Sequence, residues 1–159
     1  MKSKRQVTVV TQTDQILYGL WQNSSDQTIA KDIAALSKHY YQTIGKEPRS
    51  VLPFYVLSRN YDENTRQFEL FIGGQLEHPE LIRFDSPAGF YGHMTIKPKL
   101  GFIWGLAVGE AKKYFYTKWL PTSDFTAVNL EYEYHTEKSI GKKPEIELLF
   151  AIQKRESRL

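Results

Sequence analysis

The chain has 159 residues, a net charge of +3, 41% hydrophobic residues and 14% aromatic residues. This length is typical of one domain, since domains commonly contain roughly 100–150 residues. The absence of cysteine excludes disulfides, thiolate metal sites and cysteine nucleophiles. Lysine and arginine are spread along the whole chain, which argues against a basic nucleic-acid interface.

Membrane and export signals are not apparent in the sequence. No window approaches the ~18 uninterrupted apolar residues of a transmembrane helix. The basic start at Met1–Arg5 is not followed by an apolar block of signal-peptide length. We therefore expect a cytoplasmic protein without membrane contact. One domain is predicted over residues 7–154, with flexible tails at 1–6 and 155–159.

The first half of the predicted domain, residues 7–74, has the order strand, helix, strand pair. The predicted elements are strands over 7–10, 16–21, 52–59 and 67–72, and a helix that ends at Gly45. The helix is predicted because apolar residues recur at three- and four-residue steps: Ile29, Ile33, Leu36, Tyr40 and Ile44. Gly45 favours a helix end, because glycine accepts the left-handed conformation there.

The second half, residues 89–154, repeats this order after a polar joint at 73–89. The predicted elements are strands over 90–96, 125–134 and 145–153, and a helix over 101–118 that Pro121 stops. Strand alternation and helix periodicity together predict an α+β fold. We expect an antiparallel sheet of two β-α-β-β pseudo-repeats, 7–74 and 89–154, with both helices on one face.

Glycines four positions apart, at Gly101, Gly105 and Gly109, lie on one side of the second predicted helix. Each costs about 1 kcal/mol of helix propensity relative to alanine. The pattern predicts either tight packing on that side or space for a ligand.

Two acids interrupt the aromatic strand over 126–134. Because side chains alternate along a strand, Glu131 and Glu133 lie on one face and Tyr132 and Tyr134 on the other. If the helices cover the apolar side, Glu131 points to the opposite face. By the same parity that face collects several rings: Trp21, Tyr55, Phe71, Tyr91 and His93. The alternative is that both acids are solvated and pair with lysine or arginine across the sheet.

The remaining polar residues do not form a recognised catalytic or metal-binding motif. The four histidines follow no metal-ligand spacing, so no metal site is predicted. Ser24, Ser25 and Ser123 lack the context of a nucleophile elbow. No glycine-rich phosphate loop follows a strand.

Three segments resemble the GyrI-like effector-binding domains that many bacterial AraC-type regulators carry. Tyr116–Phe125 looks like the helix end of that family, Asn129–Glu131 resembles its acidic strand motif, and Ile146–Gln153 resembles its closing strand. The resemblance extends from Val7 to Lys154 and includes the doubled order of elements. It is nearest to stand-alone and integron-cassette members.

The resemblance implies a pocket for amphipathic, often cationic, small molecules, with Glu131 as the acidic contact. Relatives often have tyrosine two residues after that glutamate, whereas this chain has Glu133, so Tyr132 or Tyr134 would have to substitute. Only six residues precede the first predicted strand. We therefore expect no helix-turn-helix region and no direct DNA binding.

The predicted function is a stand-alone small-molecule sensor or sequestering protein that uses no cofactor. The predicted ligand residues are Glu131, Glu133, Tyr134, Trp21, Tyr55, Phe71, Tyr91 and Trp104. One alternative is a hydrolase of reactive cytotoxic compounds, with Glu131 as general base. Another is a gyrase-inhibitor-like protein with a separate protein partner.

Overall fold

Eight antiparallel strands form one sheet in the computed structural model, which describes residues 5–97 and 104–156. The strands are β1 (Thr8–Gln12), β2 (Gln15–Ser25), β3 (Phe54–Arg59), β4 (Gln67–Gly74), β5 (Ile82–Ser86), β6 (Gly89–Ile96), β7 (Phe125–His135) and β8 (Ile146–Lys154). The helices are α1 (Ile29–Ile44) and α2 (Trp104–Tyr114). The predicted α+β class with an antiparallel sheet is confirmed.

The strand order is β1-β6-β8-β7-β3-β4-β2-β5, so the two pseudo-repeats meet where β3 pairs with β7. The repeats are β2-α1-β3-β4 and β6-α2-β7-β8, and β1 and β5 form the two sheet edges. Strand β5 lies inside the segment 73–89 that the sequence predicted as a joint. Its residues Ile82, Arg83, Phe84 and Asp85 do alternate between apolar and charged, but the run is short, as is common for an edge strand.

Both helices pack on the same face of the sheet, here called the helix face. Helix α1 buries Leu36, Tyr40 and Ile44, and Gly45 ends it in the left-handed conformation, with φ of 64°. On the second half, Val108 and Ala111 of α2 pack in one buried cluster with residues of β6 and β8. The predicted placement of the helices on one face is therefore confirmed.

The opposite face is buried because the sheet curls. Two-residue connections join β1 to β2 and β5 to β6, although these strands lie at opposite ends of the strand order. Such short connections bring the two ends of the sheet close together. The inner side, here called the concave face, therefore has its own core: Leu17, Tyr55, Leu57, Phe71, Tyr91, Leu130, Tyr132, Leu149 and Ala151.

Gly19 and Gly73 lie opposite each other on β2 and β4. A Cβ atom at either position would collide with the Phe71 ring and with the neighbouring backbone. These two positions require glycine, because only a residue without a side chain leaves room for that ring.

Helix α2 continues into a π-helical turn at Phe115–Trp119 and a 3₁₀ turn at Leu120–Thr122. The Phe115 ring stacks on Phe150 of β8, with centroids 4.0 Å apart, and on Trp119 at 5.3 Å. This aromatic stack holds the end of the helix on the sheet and directs the neighbouring Tyr116 towards β7.

Candidate functional site

Glu131 lies on the helix face of β7, directly opposite Ser58 of β3. Its Oε1 accepts a 2.9 Å hydrogen bond from the Tyr116 hydroxyl, and its Oε2 lies 2.9 Å from Nζ of Lys112. Lys112 and Tyr116 are four positions apart on α2 and its extension, so both reach the same side of the helix. The Glu131 side chain is only 18% exposed. Lys112 and Tyr116 of the same chain thus shelter Glu131 from water.

The surroundings of Glu131 shift the pKa values of Lys112 and Tyr116 upwards. Burial disfavours the charged form of Lys112, but Glu131 and Glu133 outweigh that effect and raise the pKa of Lys112 above its ordinary value. Burial, followed by the charge of Glu131, raises the pKa of the Tyr116 hydroxyl far above its ordinary value. At neutral pH Lys112 is therefore a cation and Tyr116 a hydrogen-bond donor. The charge of Glu131 is satisfied within the chain.

Glu133 lies on the same face of β7, opposite Val56 of β3. Its Oε1 is 3.2 Å from Nε2 of His135, and its side chain is 16% exposed. The His135 ring contacts Phe54, which stacks on Tyr41 of α1 with centroids 5.4 Å apart. Glu131, Glu133, Lys112, Tyr116 and His135 together form what we call the helix-face cluster.

The expectation that Glu131 shares a face with the aromatic rings is wrong. The strand register pairs Trp21 with Phe71, Phe71 with Leu57, and Leu57 with Tyr132, which places all four on the concave face. Glu131 precedes Tyr132 and therefore points the other way. The error arose from assuming that the helices cover the apolar side of β7. They cover its acidic side, and the curl of the sheet buries its apolar side.

At one end of the concave face, Trp21 already has a cation as its partner. The Arg59 guanidinium lies 4.1 Å from the centroid of the Trp21 ring and 5.2 Å from that of Phe84. Its Nε also forms a 2.6 Å ion pair with Glu69. Trp21 packs against Phe71 with centroids 4.9 Å apart. These predicted ligand residues are therefore engaged in contacts within the chain.

Tyr55 and Tyr91 are buried in the concave core. The Tyr91 hydroxyl donates a 2.7 Å hydrogen bond to the carbonyl oxygen of Pro87, and the Tyr55 hydroxyl donates to Oε1 of Gln15 at 3.2 Å. Burial raises the pKa of Tyr55 to about 12. The side chain of Trp104 lies outside the part of the chain that the structure describes.

A cavity of about 360 Å³ opens on the concave face beyond Tyr55. It is lined by Val10, Gln12, Gln15, His93, Tyr132, Tyr134, Glu147 and Leu149. These residues come from strands of both sheet ends and both pseudo-repeats, so the cavity exists only because the sheet curls. Of the predicted ligand residues, Tyr134 lines it.

A histidine and a carboxylate that line the cavity are in direct contact. Nε2 of His93 lies 2.7 Å from Oε1 of Glu147, and their side chains are 24% and 37% exposed. Burial raises the pKa of the neighbouring Tyr132 hydroxyl above its ordinary value. A partly sheltered carboxylate beside the rings of Tyr132 and Tyr134 can attract a cation by charge and by cation–π contact.

Sequence reasoning missed Glu147. The alternation along β8 was recognised from its apolar residues on the helix face, such as Ile146 and Leu148. The intervening positions carry Glu147, Leu149 and Ala151. A single carboxylate on an otherwise apolar strand face was the available signal, because such a face is normally buried.

Within residues 5–97 and 104–156, no group of three or more histidine or acidic side chains is arranged to hold a metal ion. In the same described ranges, no helix combines the length and hydrophobicity needed to span a bilayer.

No protein-family model matches the chain, and neither does any curated protein. Its fold, however, is found in solved structures. An integron cassette protein from Vibrio cholerae matches with a TM-score of 0.68 at 14% identity, over 92% of this chain and 95% of that chain. SAV2435, solved bound to tetraphenylphosphonium, matches with a TM-score of 0.69 at 9% identity, over 93% and 94%.

The C-terminal domain of EcmrR matches with a TM-score of 0.64 at 14% identity, over 95% of this chain and 99% of that domain. At such low identities the likeness concerns the fold alone. The chain therefore has the fold of these proteins.

Proposed function

We propose that the chain binds a small, largely apolar cation in the concave cavity and acts as a sensor or sequestering module. The observation that carries the proposal is the cavity itself, about 360 Å³ in volume, with the Glu147 carboxylate beside two tyrosine rings. Ligand pockets commonly enclose roughly 300–1,000 Å³ and combine an apolar lining with a few convergent polar groups. The cavity lies at the small end of this range.

Charge and aromatic contact would act together on such a ligand. An ion pair at 4 Å contributes about 1 kcal/mol in water and about 4 kcal/mol in a protein-surface environment. Each cation–π contact contributes about 0.5–2 kcal/mol. Tyr132 and Tyr134 offer the rings, and Gln12 and Gln15 offer amides that can orient polar substituents.

Glu131, in contrast, has an architectural role in this proposal. Both of its oxygens already interact with Lys112 and Tyr116, so a ligand cation would have to displace the Lys112 ammonium group. The same engagement disfavours Glu131 as a general base on water. The enzymatic alternative therefore has no support from the geometry around this residue.

Isothermal titration calorimetry with tetraphenylphosphonium tests the proposal. The probe is chosen because it is a permanent apolar cation and because SAV2435, which shares the fold, was solved with it. We expect saturable one-to-one binding. At a hundredfold excess over the Kd, the free energy of unfolding should rise by about 2.7 kcal/mol.

Glu147→Gln removes the carboxylate charge without changing its size. We expect this variant to bind at least about tenfold more weakly, which corresponds to about 1.4 kcal/mol. Glu133→Gln is the matched control, because it removes the same charge from the helix face. Normal affinity in Glu147→Gln with lost affinity in Glu133→Gln would place the site on the helix face instead. Absence of binding to wild-type protein would overturn the proposal.

A further inference from the structure

We infer that His93 makes cation binding in the cavity proton-dependent, because its imidazolium and the ligand compete for Glu147. Ligand binding then releases a proton from the protein, and the cavity favours cations at higher pH. This inference rests on the proposed function and assigns to His93 the role of a specificity-determining residue.

The geometry places His93 in direct competition with the ligand for the Glu147 carboxylate. His93 pairs across the sheet with Leu149, and Glu147 pairs with Thr95, so the histidine and the acid lie on adjacent strands at diagonal positions. Both project into the cavity, and Nε2 of His93 is 2.7 Å from Oε1 of Glu147. A protonated His93 neutralises the carboxylate nearest to it. A neutral His93 leaves that negative charge available to a ligand.

The other polar groups that line the cavity are phenols and amides. On β7, Tyr132 and Tyr134 are phenols, a group that ionises well above neutrality, and burial raises the pKa of Tyr132 further. On β1, Thr8 lies opposite His93, and Val10 and Gln12 line the cavity. On β2, Gln15 contributes an amide. Histidine is the side chain that ordinarily titrates between about pH 5 and pH 8.

The direction of the effect follows from linkage. If the free protein binds more protons at this site than the complex does, lowering the pH weakens ligand binding. One displaced proton changes the Kd by at most about tenfold per pH unit. By reciprocity, bound ligand makes His93 easier to deprotonate.

Tetraphenylphosphonium again serves as the probe, because its charge does not depend on pH. Calorimetric titrations between about pH 5.5 and pH 8 should give a Kd that rises as pH falls, by about tenfold or more over the range. Titrations at one pH in two buffers with different ionisation enthalpies should show release of up to one proton per ligand. This second measurement uses wild-type protein alone and requires no variant to fold.

The chain supplies a matched pair of variants. His93→Gln should bind tetraphenylphosphonium with a Kd that no longer changes with pH. His135→Gln removes the other histidine that contacts a glutamate, Glu133 on the helix face, and should retain the full pH dependence.

The outcomes distinguish the role of His93 from the proposed binding of cations in the cavity. Binding that is equally tight at every pH, or pH dependence that persists in His93→Gln, would overturn the role of His93 and leave the proposed function standing. Absence of binding at every pH would overturn both.

Discussion

The two faces of the sheet each hold a glutamate that is partly sheltered from water, but they use it differently. On the helix face, Glu131 is held by Lys112 and Tyr116, both from α2 and its extension. On the concave face, Glu147 contacts a histidine at the wall of a cavity. The comparison shows that a sheltered carboxylate becomes architectural when its own chain supplies a permanent cation. A carboxylate becomes a candidate ligand-binding group when its partner is a histidine, which can lose its charge.

The aromatic rings also differ in whether the chain itself already supplies a cation to them. Trp21 is covered by Arg59, so its π face already has a cation within the chain. Tyr132 and Tyr134 line open space. Aromatic content alone therefore does not locate a cation site, because the chain fills part of its own aromatic surface.

The largest expected effect comes from breaking the helix-face ion pair. Lys112→Met keeps most of the length of the side chain but leaves Glu131 without its cation. We expect a loss of about 2–3 kcal/mol in the free energy of unfolding, because breaking a fully buried pair costs about 3–5 kcal/mol and this pair is partly exposed. Urea unfolding at neutral pH measures it. The pKa of Lys112 is raised in the folded state, so the contribution is fully present at neutral pH and is lost as the pH rises through the folded value.

The double variant Lys112→Met, Glu131→Gln is the control for this effect. It removes both charges, so most of the lost stability should return. A Lys112→Met variant as stable as wild type would show that Glu131 does not depend on this partner. Glu131 would then again be a candidate ligand-binding residue.

A smaller effect is expected for the second partner of Glu131. Tyr116→Phe removes the hydroxyl that donates to Oε1 and should cost about 1–2 kcal/mol, since a hydrogen bond to a charged acceptor is lost. Tyr114→Phe on the same helix is the control, because the Tyr114 ring contacts Arg5 and its change removes no contact with Glu131. Equal unfolding midpoints in urea for both variants would contradict the proposed anchoring.

The smallest effect tests whether side chains or close backbone approach hold α2 on the sheet. A Cβ atom at Gly109 would meet nothing within 4 Å, so this glycine is not required for packing. Gly109→Ala should raise the free energy of unfolding by up to about 1 kcal/mol through helix propensity. Thermal or urea unfolding measures it. A destabilised variant would indicate that the second helix does need an unobstructed surface at this position.

Tight packing, one of the two explanations offered for these glycines, therefore does not hold at Gly105 or Gly109, because both positions have open space around them. Gly101 lies outside the described residues. Glycine does permit close approach at Gly19 and Gly73, beneath the Phe71 ring, and at Gly92, beneath the Phe115 ring.

Local sequence patterns determined much of the fold. The predicted strand over 125–134 and the strand over 145–153 match β7 and β8 within about one residue at each end. The helix periodicity from Ile29 to Ile44 and the left-handed Gly45 were likewise readable, because both depend on residues close in sequence. Strand β5 was not predicted, although Ile82 and Phe84 alternate with Arg83 and Asp85, because the run is short and lies between Pro79 and Pro87.

The location of the candidate site depended on tertiary structure. Alternation along β7 divides Glu131 from Tyr132, but it does not say which side the helices cover, because that depends on strands far apart in sequence. The curl that forms the cavity follows from the strand order combined with the two-residue connections, and no local pattern encodes that combination. The sequence by itself therefore determined which segments form strands and helices and which residues of a strand share a face. The tertiary structure alone decided that Glu147, and not Glu131, lies beside the rings of an open cavity.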